Sequence, residues 1–444
     1  MFRKLTLSAA AIAMMIGTAQ AQSVTKIELW HGLTGDLGES VNETCARFNA
    51  SQKEFEVTCT TQGAYDTALQ NAIAAYRVKK HPTIVQIYDA GTLDLMLSEA
   101  YVPAHKLMAD NGYKVDWNDY VSSVANYYAT SKGELYSFPY NSSTAVFYYN
   151  KDAFTKIGKT AGPKTWEEVA ENMKLLKDAG YECPMGWATD DSWASMEQFS
   201  AIHNQPIATK GNGYFGLDAE VVFNKTKFVD LVKFLKAAYD RGELKIKMPA
   251  TGANVTQAFA SGDCQMVQMS IASHGTVTRT AKPGVNWDVS MLPVFAGTER
   301  RNSLVGGASL WVLQGKSADE YKAAAAFLNY IGTKESALWY STRTGYIPVK
   351  KSAYEFMKAQ GFYDKAPFKG REVAMESLLA TPVNENSRGI RLGNFTQIRK
   401  EVSDALSDIF ANKATVEVAL NAAVERSNTM LRKFERTYAG KALP

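Results

Sequence analysis

The chain has 444 residues, 49 lysines and arginines against 45 aspartates and glutamates, a formal charge of +4, and 11% aromatic residues with 13 prolines. So small a charge argues against a general polyanion binder, and no nucleic-acid partner is expected. The apolar content excludes a disordered chain, and the length suffices for two domains, each with its own core.

Arg3 and Lys4 precede an apolar run from Leu5 to Gly17, and Ala19-Gln-Ala21 supplies the small residues of an export-signal cleavage site. The run is shorter than the ~20 residues that a bilayer core requires. Residues 1–21 are therefore read as a signal peptide cleaved after Ala21, leaving an exported mature chain with no membrane span. Gln22 and Ser23 offer no cysteine for a lipid anchor.

Lys26–Trp30 alternates polar and apolar residues as a strand does, and Val41, Cys45 and Phe48 recur at helix spacing after a glycine-rich loop. The pattern repeats with a strand at Phe55–Cys59, a helix marked by Leu69, Ile73 and Tyr76, a buried strand at Ile84–Tyr88 and a short helix at Leu93–Ala100. Such alternation predicts an α/β fold with a mostly parallel sheet, in which ligands sit beyond the carboxyl ends of the strands. The loops at Gly63-Ala-Tyr65 and Asp89-Ala-Gly91 are placed to face that cleft. At Tyr136–Phe154, the polar patch Asn141–Thr144 lies between Pro139 and the β-favouring run Ala145–Tyr149, so hydroxyls and an amide stand at the mouth of a buried strand. Thr165-Trp-Glu-Glu168 has the form of a capping box and opens a second α/β unit. That unit continues with a strand at Cys183–Trp187, a stripe of Phe228, Val232, Leu235 and Tyr239, and a strand at Gln265–Ser270. An apolar strand follows the glycine pair of Val305–Val312, Ser317–Tyr330 is helical, Thr344-Gly-Tyr-Ile-Pro348 is punctuated as a turn, and the remainder is helical.

Catalytic motifs are weak. Gly211-x-Gly213-x-x-Gly216 spells a dinucleotide fingerprint, but no strand leads into it and no clear helix follows. Gly315-Lys-Ser317 lacks the first glycine of a phosphate loop and reads as a turn with the N-cap of the next helix. No nucleophile elbow or zinc-protease motif occurs, and the five histidines are scattered without ligand spacing, so neither a metal nor a cofactor is expected. The four cysteines form an even set in an oxidising compartment. Cys45 and Cys59, on a predicted helix and the strand after it, are expected to pair; Cys183 with Cys264 is the further pairing expected.

Several blocks, Arg47-Phe-Asn-Ala-Ser51, Asn141-Ser-Ser-Thr144, Gly306-Gly-Ala-Ser-Leu-Trp311, Thr344-Gly-Tyr-Ile-Pro348, Gly361-Phe-Tyr-Asp-Lys365, Arg388-Gly-Ile-Arg-Leu-Gly-Asn394 and Val424-Glu-Arg-Ser-Asn428, closely resemble the sn-glycerol-3-phosphate-binding proteins of bacterial ABC importers. The resemblance implies a two-lobed type II periplasmic binding fold that works with a permease pair and a cytoplasmic ATPase. It places three crossings between lobes, with residues 22–140 and 302–345 in the N-terminal lobe and 141–301 and 346–444 in the C-terminal lobe. It implies a pocket of Tyr65, Asp89, Ser143, Ser270, Gly307, Tyr346 and Arg399, with Trp193, Thr144 and Ser273 as additional contacts and Ser142 a neighbour that the motif leaves open. The family carries glutamate where this chain has Asp89, whose shorter side chain reaches a glycerol hydroxyl differently.

The residue types fit that ligand on physical grounds. A phosphate leaving water needs several donors, and a guanidinium with tyrosine and serine hydroxyls provides charge-assisted bonds. A carboxylate accepts from vicinal hydroxyls, and Gly307 lets backbone come close. The expected function is a non-enzymatic receptor for sn-glycerol 3-phosphate and glycerophosphodiesters such as glycerophosphocholine. The alternatives are an oligosaccharide-binding protein of the same fold, with Trp30, Trp193 and Trp311 stacking on sugars, and an exported glycerophosphodiester hydrolase.

Overall fold

The computed structural model describes residues 24–247, 252 and 254–444; the expected signal peptide at 1–21 lies outside the described residues. Eleven strands are described: β1 (Thr25–His31), β2 (Phe55–Thr61), β3 (Ile84–Tyr88), β4 (Tyr101–Val102), β5 (Phe138–Ser143), β6 (Ala145–Asn150), β7 (Cys183–Gly186), β8 (Leu244–Lys245), β9 (Cys264–Ser270), β10 (Trp287–Ser290) and β11 (Gly306–Leu313). They form two sheets flanked by helices, one for each lobe. The first has the order β2-β1-β3-β11-β4 with β5 also on β11, and the second β10-β6-β9-β7-β8.

Neither sheet is mostly parallel, which corrects the sequence expectation. β1 pairs parallel with β2 and β3, but β11 runs antiparallel to β3, β4 and β5. In the second sheet β6 is antiparallel to β9 and β10, while β7 is parallel to β8 and β9. The reason is the chain's route. Parallel neighbours need a crossover connection, usually a helix, whereas β6 and β11 enter directly from the other lobe and are free to run the opposite way.

The crossings bring polar residues to the junction. β5 stays in the first sheet through Ser143, Thr144 intervenes, and β6 begins the second sheet at Ala145, so the chain changes sheet at Thr144, past the boundary expected at 140. Ser142 bridges Ile347 at the third crossing. The cores continue across this junction, with fully buried Trp311 in the first lobe and Phe147, Tyr148 and Trp166 in the second.

Local signals behave as their chemistry dictates. Ser317 caps the helix Ala318–Ile331 with a complete capping box involving Glu320. Thr165 caps Trp166–Asp178, but Glu168 accepts the backbone N–H of Lys164 instead of closing the box on Thr165. Gly213, at φ +89°, lies so close to Arg391 that a Cβ would stand 2.3 Å from its carbonyl oxygen. Packing therefore accounts for that glycine of the fingerprint-like run. Both expected disulfides form. Cys45 on the helix Gly35–Ser51 joins Cys59 on β2, and Cys183 joins Cys264, its register partner on the adjacent strand, with 4.6 Å between Cα atoms.

Candidate functional site

The carboxyl end of β3 delivers Asp89 into a short 3₁₀ turn, Asp89–Gly91, where it is 4% exposed. One carboxylate oxygen accepts the backbone N–H of Gly307 at 3.0 Å; the other accepts from Nη2 of Arg399. Arg399 comes from the opposite lobe, on the first turns of the helix Phe395–Phe410, which packs against Val416–Thr437 and Phe228–Asp240. Its Nε and Nη2 also donate to the two oxygens of Glu197, at 2.6 and 2.8 Å. The guanidinium is thus held between two buried carboxylates, bidentate to Glu197 within its own lobe and joined to Asp89 across the cleft.

The electrostatics follow from this packing. Although burial works against its charge, Asp89 and Glu197 hold the Arg399 guanidinium well above the usual arginine range. Burial pushes the Glu197 carboxyl up to about 7, with Arg399 opposing the rise. Asp191 is also raised by burial, with the backbone N–H of Ala194 and Arg399 acting against the shift.

Hydroxyls and rings line the same junction. The Tyr65 hydroxyl accepts from Asn141 Nδ2 at 2.8 Å, and its ring stacks on Tyr88 with centroids 5.2 Å apart. Tyr346 stacks on Tyr340, and its hydroxyl lies beside Tyr65 and Asn141. Asn141 in turn accepts from Gln86 Nε2, whose own side-chain oxygen takes the N–H of Gly32. Along β5 side chains alternate between faces, so Ser143 shares the face of Asn141 and Ser142 takes the other. Gly307 has φ +116°, and a Cβ there would stand 2.0 Å from the Asn141 carbonyl oxygen, so no side chain fits beside β5.

Tyr65, Asp89, Gly307, Tyr346 and Arg399 thus form one connected set, with Ser143 alongside. Trp193 belongs to its edge: the indole lies over Gly306, where an added Cβ would be 2.4 Å from the ring. Ser270 ends β9 opposite Ala145, with its hydroxyl accepting the Ala272 N–H, and Ser273 opens the helix Ser273–Thr280. Thr144 is engaged elsewhere, its hydroxyl bonded to Gln198 and Ser303 at the junction of the lobes.

Three residues escaped the sequence reading. Glu197 closes the π-helical turn Trp193–Glu197, 202 positions from Arg399, and no motif marks it. The hydroxyls of Tyr127 and Tyr128 are buried with no hydrogen-bond partner among the described residues, near enough to Asp89 and Arg399 for those charges to affect them. A paired tyrosine on a buried helix face was the only available signal.

The set holds donors, acceptors and stacked rings. Its carboxylates Asp89 and Glu197 accept from a guanidinium and a backbone N–H. Among the described residues no group of three or more His, Cys, Asp or Glu is placed to hold a metal, and no helix is long and apolar enough to cross a membrane.

Known proteins resemble the chain along nearly its full length. The family model for bacterial extracellular solute-binding proteins matches residues 43–367. The sn-glycerol-3-phosphate-binding periplasmic protein UgpB of Escherichia coli K12 is 38% identical over 437 residues, covering 96% of this chain and 98% of the relative. UgpB of Yersinia enterocolitica is 39% identical over 427 residues, covering 95% of each. Among solved structures, UgpB of Mycobacterium tuberculosis in complex with glycerophosphocholine superposes with a TM-score of 0.76 at 23% identity, over 93% of this chain and all of that one.

Proposed function

The chain belongs to the bacterial extracellular solute-binding proteins, and from that premise we propose that it is the periplasmic receptor of an ABC importer. It captures sn-glycerol 3-phosphate, and with it glycerophosphodiesters such as glycerophosphocholine, and hands them to a permease pair driven by a cytoplasmic ATPase. It acts as a carrier and not as an enzyme, after export and removal of residues 1–21. The lobes, 22–140 with 302–345 and 141–301 with 346–444 apart from the shift to Thr144, close on the ligand about the three crossings.

The observation that carries this reading is the guanidinium of Arg399, buried where the lobes meet and held by Glu197 in its own lobe and Asp89 in the other. A phosphate oxygen arriving between the lobes takes over Nη2 from Asp89, while the bidentate pair with Glu197 keeps the guanidinium oriented. Asp89, released from the arginine, accepts from the glycerol hydroxyls with the Gly307 N–H still fixing its second oxygen. Tyr65, Tyr346 and Ser143 donate to the remaining ligand oxygens, while Ser270 and Trp193 border the site with Thr144 and Ser273 behind them. Such charge-assisted bonds in a partly dry cleft are stronger than neutral ones, which suits retention of a phosphate.

Calorimetric titration with glycerol 3-phosphate, glycerophosphocholine and maltose tests the proposal. Binding of either phosphate ester with no response to maltose is expected; binding of maltose alone overturns the reading. Release of choline from glycerophosphocholine by the pure protein, abolished by a chelator, would instead establish a hydrolase.

A further inference from the structure

A second cluster of arginines stands away from Arg399, around a cavity of about 470 Å³ where the lobes also meet. Arg343 and Trp339 come from the helix Lys334–Arg343 of the first lobe. Thr278 and Arg279 come from the helix Ser273–Thr280 of the second, and Phe368 and Arg371 from the segment before Glu372–Leu379. Two of the three cations have acidic partners: Arg279 pairs at 2.8 Å with Asp36, which also lines the cavity, and Arg343 pairs with Glu43 at 3.0 Å.

Arg371 does not. It is 5% exposed, and among the described residues no carboxylate lies within ion-pair distance. Its Nη1 donates to the Ser341 carbonyl at 2.6 Å and its Nε to His274 Nδ1 at 3.1 Å, and Nη2 has no hydrogen-bond partner among the described residues. The His274 ring is fixed in the matching tautomer, since Nε2 meets the Lys369 carbonyl at 3.0 Å. Burial, with Arg371 adding to it, pushes His274 down to about 3, so the ring accepts and supplies no compensating charge. Buried charges in folded proteins are ordinarily paired, and a guanidinium with only neutral partners beside a cavity is an incomplete arrangement.

We propose that this cavity is a second anion site that takes a small oxyanion, inorganic phosphate or the phosphoryl group of a monoester, on Arg371 and Arg279. The free Nη2 of Arg371 provides the first donor, and Arg279, held by Asp36 and the Arg343 carbonyl, turns a nitrogen from them to the anion. The proposal does not rest on the ligand assigned to the cleft.

The test uses the full exported chain with Arg399→Ala, which weakens the cleft, or with Arg399→Lys if the alanine variant fails to fold, and follows inorganic phosphate by calorimetry at pH 7.5. Saturable binding is expected, weakened at least about tenfold by Arg279→Gln and by Arg371→Gln and matched by glycerol 3-phosphate on the same background. Arg279 is the more exposed of the two, so its variant carries the test if Arg371→Gln fails to fold. Absence of saturable phosphate binding to folded Arg399→Ala protein overturns the site, as does phosphate affinity unchanged by Arg279→Gln. Wild type that binds glycerol 3-phosphate no more tightly than the Arg399→Ala protein would refute the cleft reading and leave this site standing.

Discussion

Arg399→Ala removes the group on which both lobes converge, and the structure sets two separate consequences. The side chain is 13% exposed, and its partners Asp89 and Glu197 are 4% and 1% exposed. Truncation leaves two buried carboxylates without their cation, and breaking a buried pair in this way costs about 3 to 5 kcal/mol of stability. Affinity falls for a different reason: the phosphate loses its charged donor, worth roughly 2 to 5 kcal/mol, or a factor of about 30 or more in Kd. Arg399→Lys keeps the charge but has no planar fork to grip both oxygens of Glu197, so it recovers only part of each loss. Thermal unfolding and calorimetry with glycerol 3-phosphate on both variants separate the two effects. A folded Arg399→Ala protein that binds like wild type refutes the phosphate site, and an unchanged melting temperature refutes the buried ion pairs.

Gly307→Ala forces a Cβ against the Asn141 carbonyl at a positive φ, so stability should fall by at least about 2 kcal/mol in denaturant titration and ligand affinity should fall with it; a neutral result would show that β5 and β11 can separate there. Glu197 has its carboxyl raised to about 7 by burial, so the folded chain holds this proton more tightly than the unfolded chain. Its contribution to stability therefore declines as pH rises from the ordinary carboxylate range to about 7 and is level above. Melting temperatures across that range should show the decline in wild type and a flatter curve in Glu197→Gln; parallel curves would refute the assignment. Peptide mapping of unreduced protein should find Cys45 joined to Cys59 and Cys183 to Cys264. Replacing the second pair by serines should be the more damaging change, about 4.5 kcal/mol for a separation of 81 residues against about 3 for one of 14.

The parts of this fold that could be read in the sequence are those written in local periodicity. Phe228, Val232 and Leu235 are buried on one helix face as their spacing requires, and Ser317 with Glu320 announces a helix start through a reciprocal bond four residues long. Strand direction is not written that way. Ala145–Asn150 has the same β-favouring composition whether it runs parallel or antiparallel, and only its direct arrival from the other lobe decides. The pairing of Cys183 with Cys264 likewise depends on a register between β7 and β9 that neither segment contains alone.

The site divides along the same line. Tyr65, Asp89, Gly307, Tyr346 and Arg399 sit in short blocks whose spelling can be matched, whereas Glu197 is meaningful only through what it touches. Its carboxylate grips two nitrogens of Arg399 from a single π-helical turn, and an i→i+5 turn breaks the 3.6-residue stripe by which a buried helix face is recognised. Read from sequence, Arg399 is a cation awaiting a phosphate. In the folded chain its charge is already engaged by two carboxylates, and under the proposed function a ligand binds by exchanging with one of them. The exchangeable partner is Asp89, because its bond spans the lobes and is single, while Glu197 binds through two oxygens on the same lobe. Discrimination then depends on whether an incoming group can both replace Asp89 at the guanidinium and give Asp89 hydroxyls to accept. A phosphate joined to a glycerol does both; inorganic phosphate does only the first, and a neutral sugar only the second.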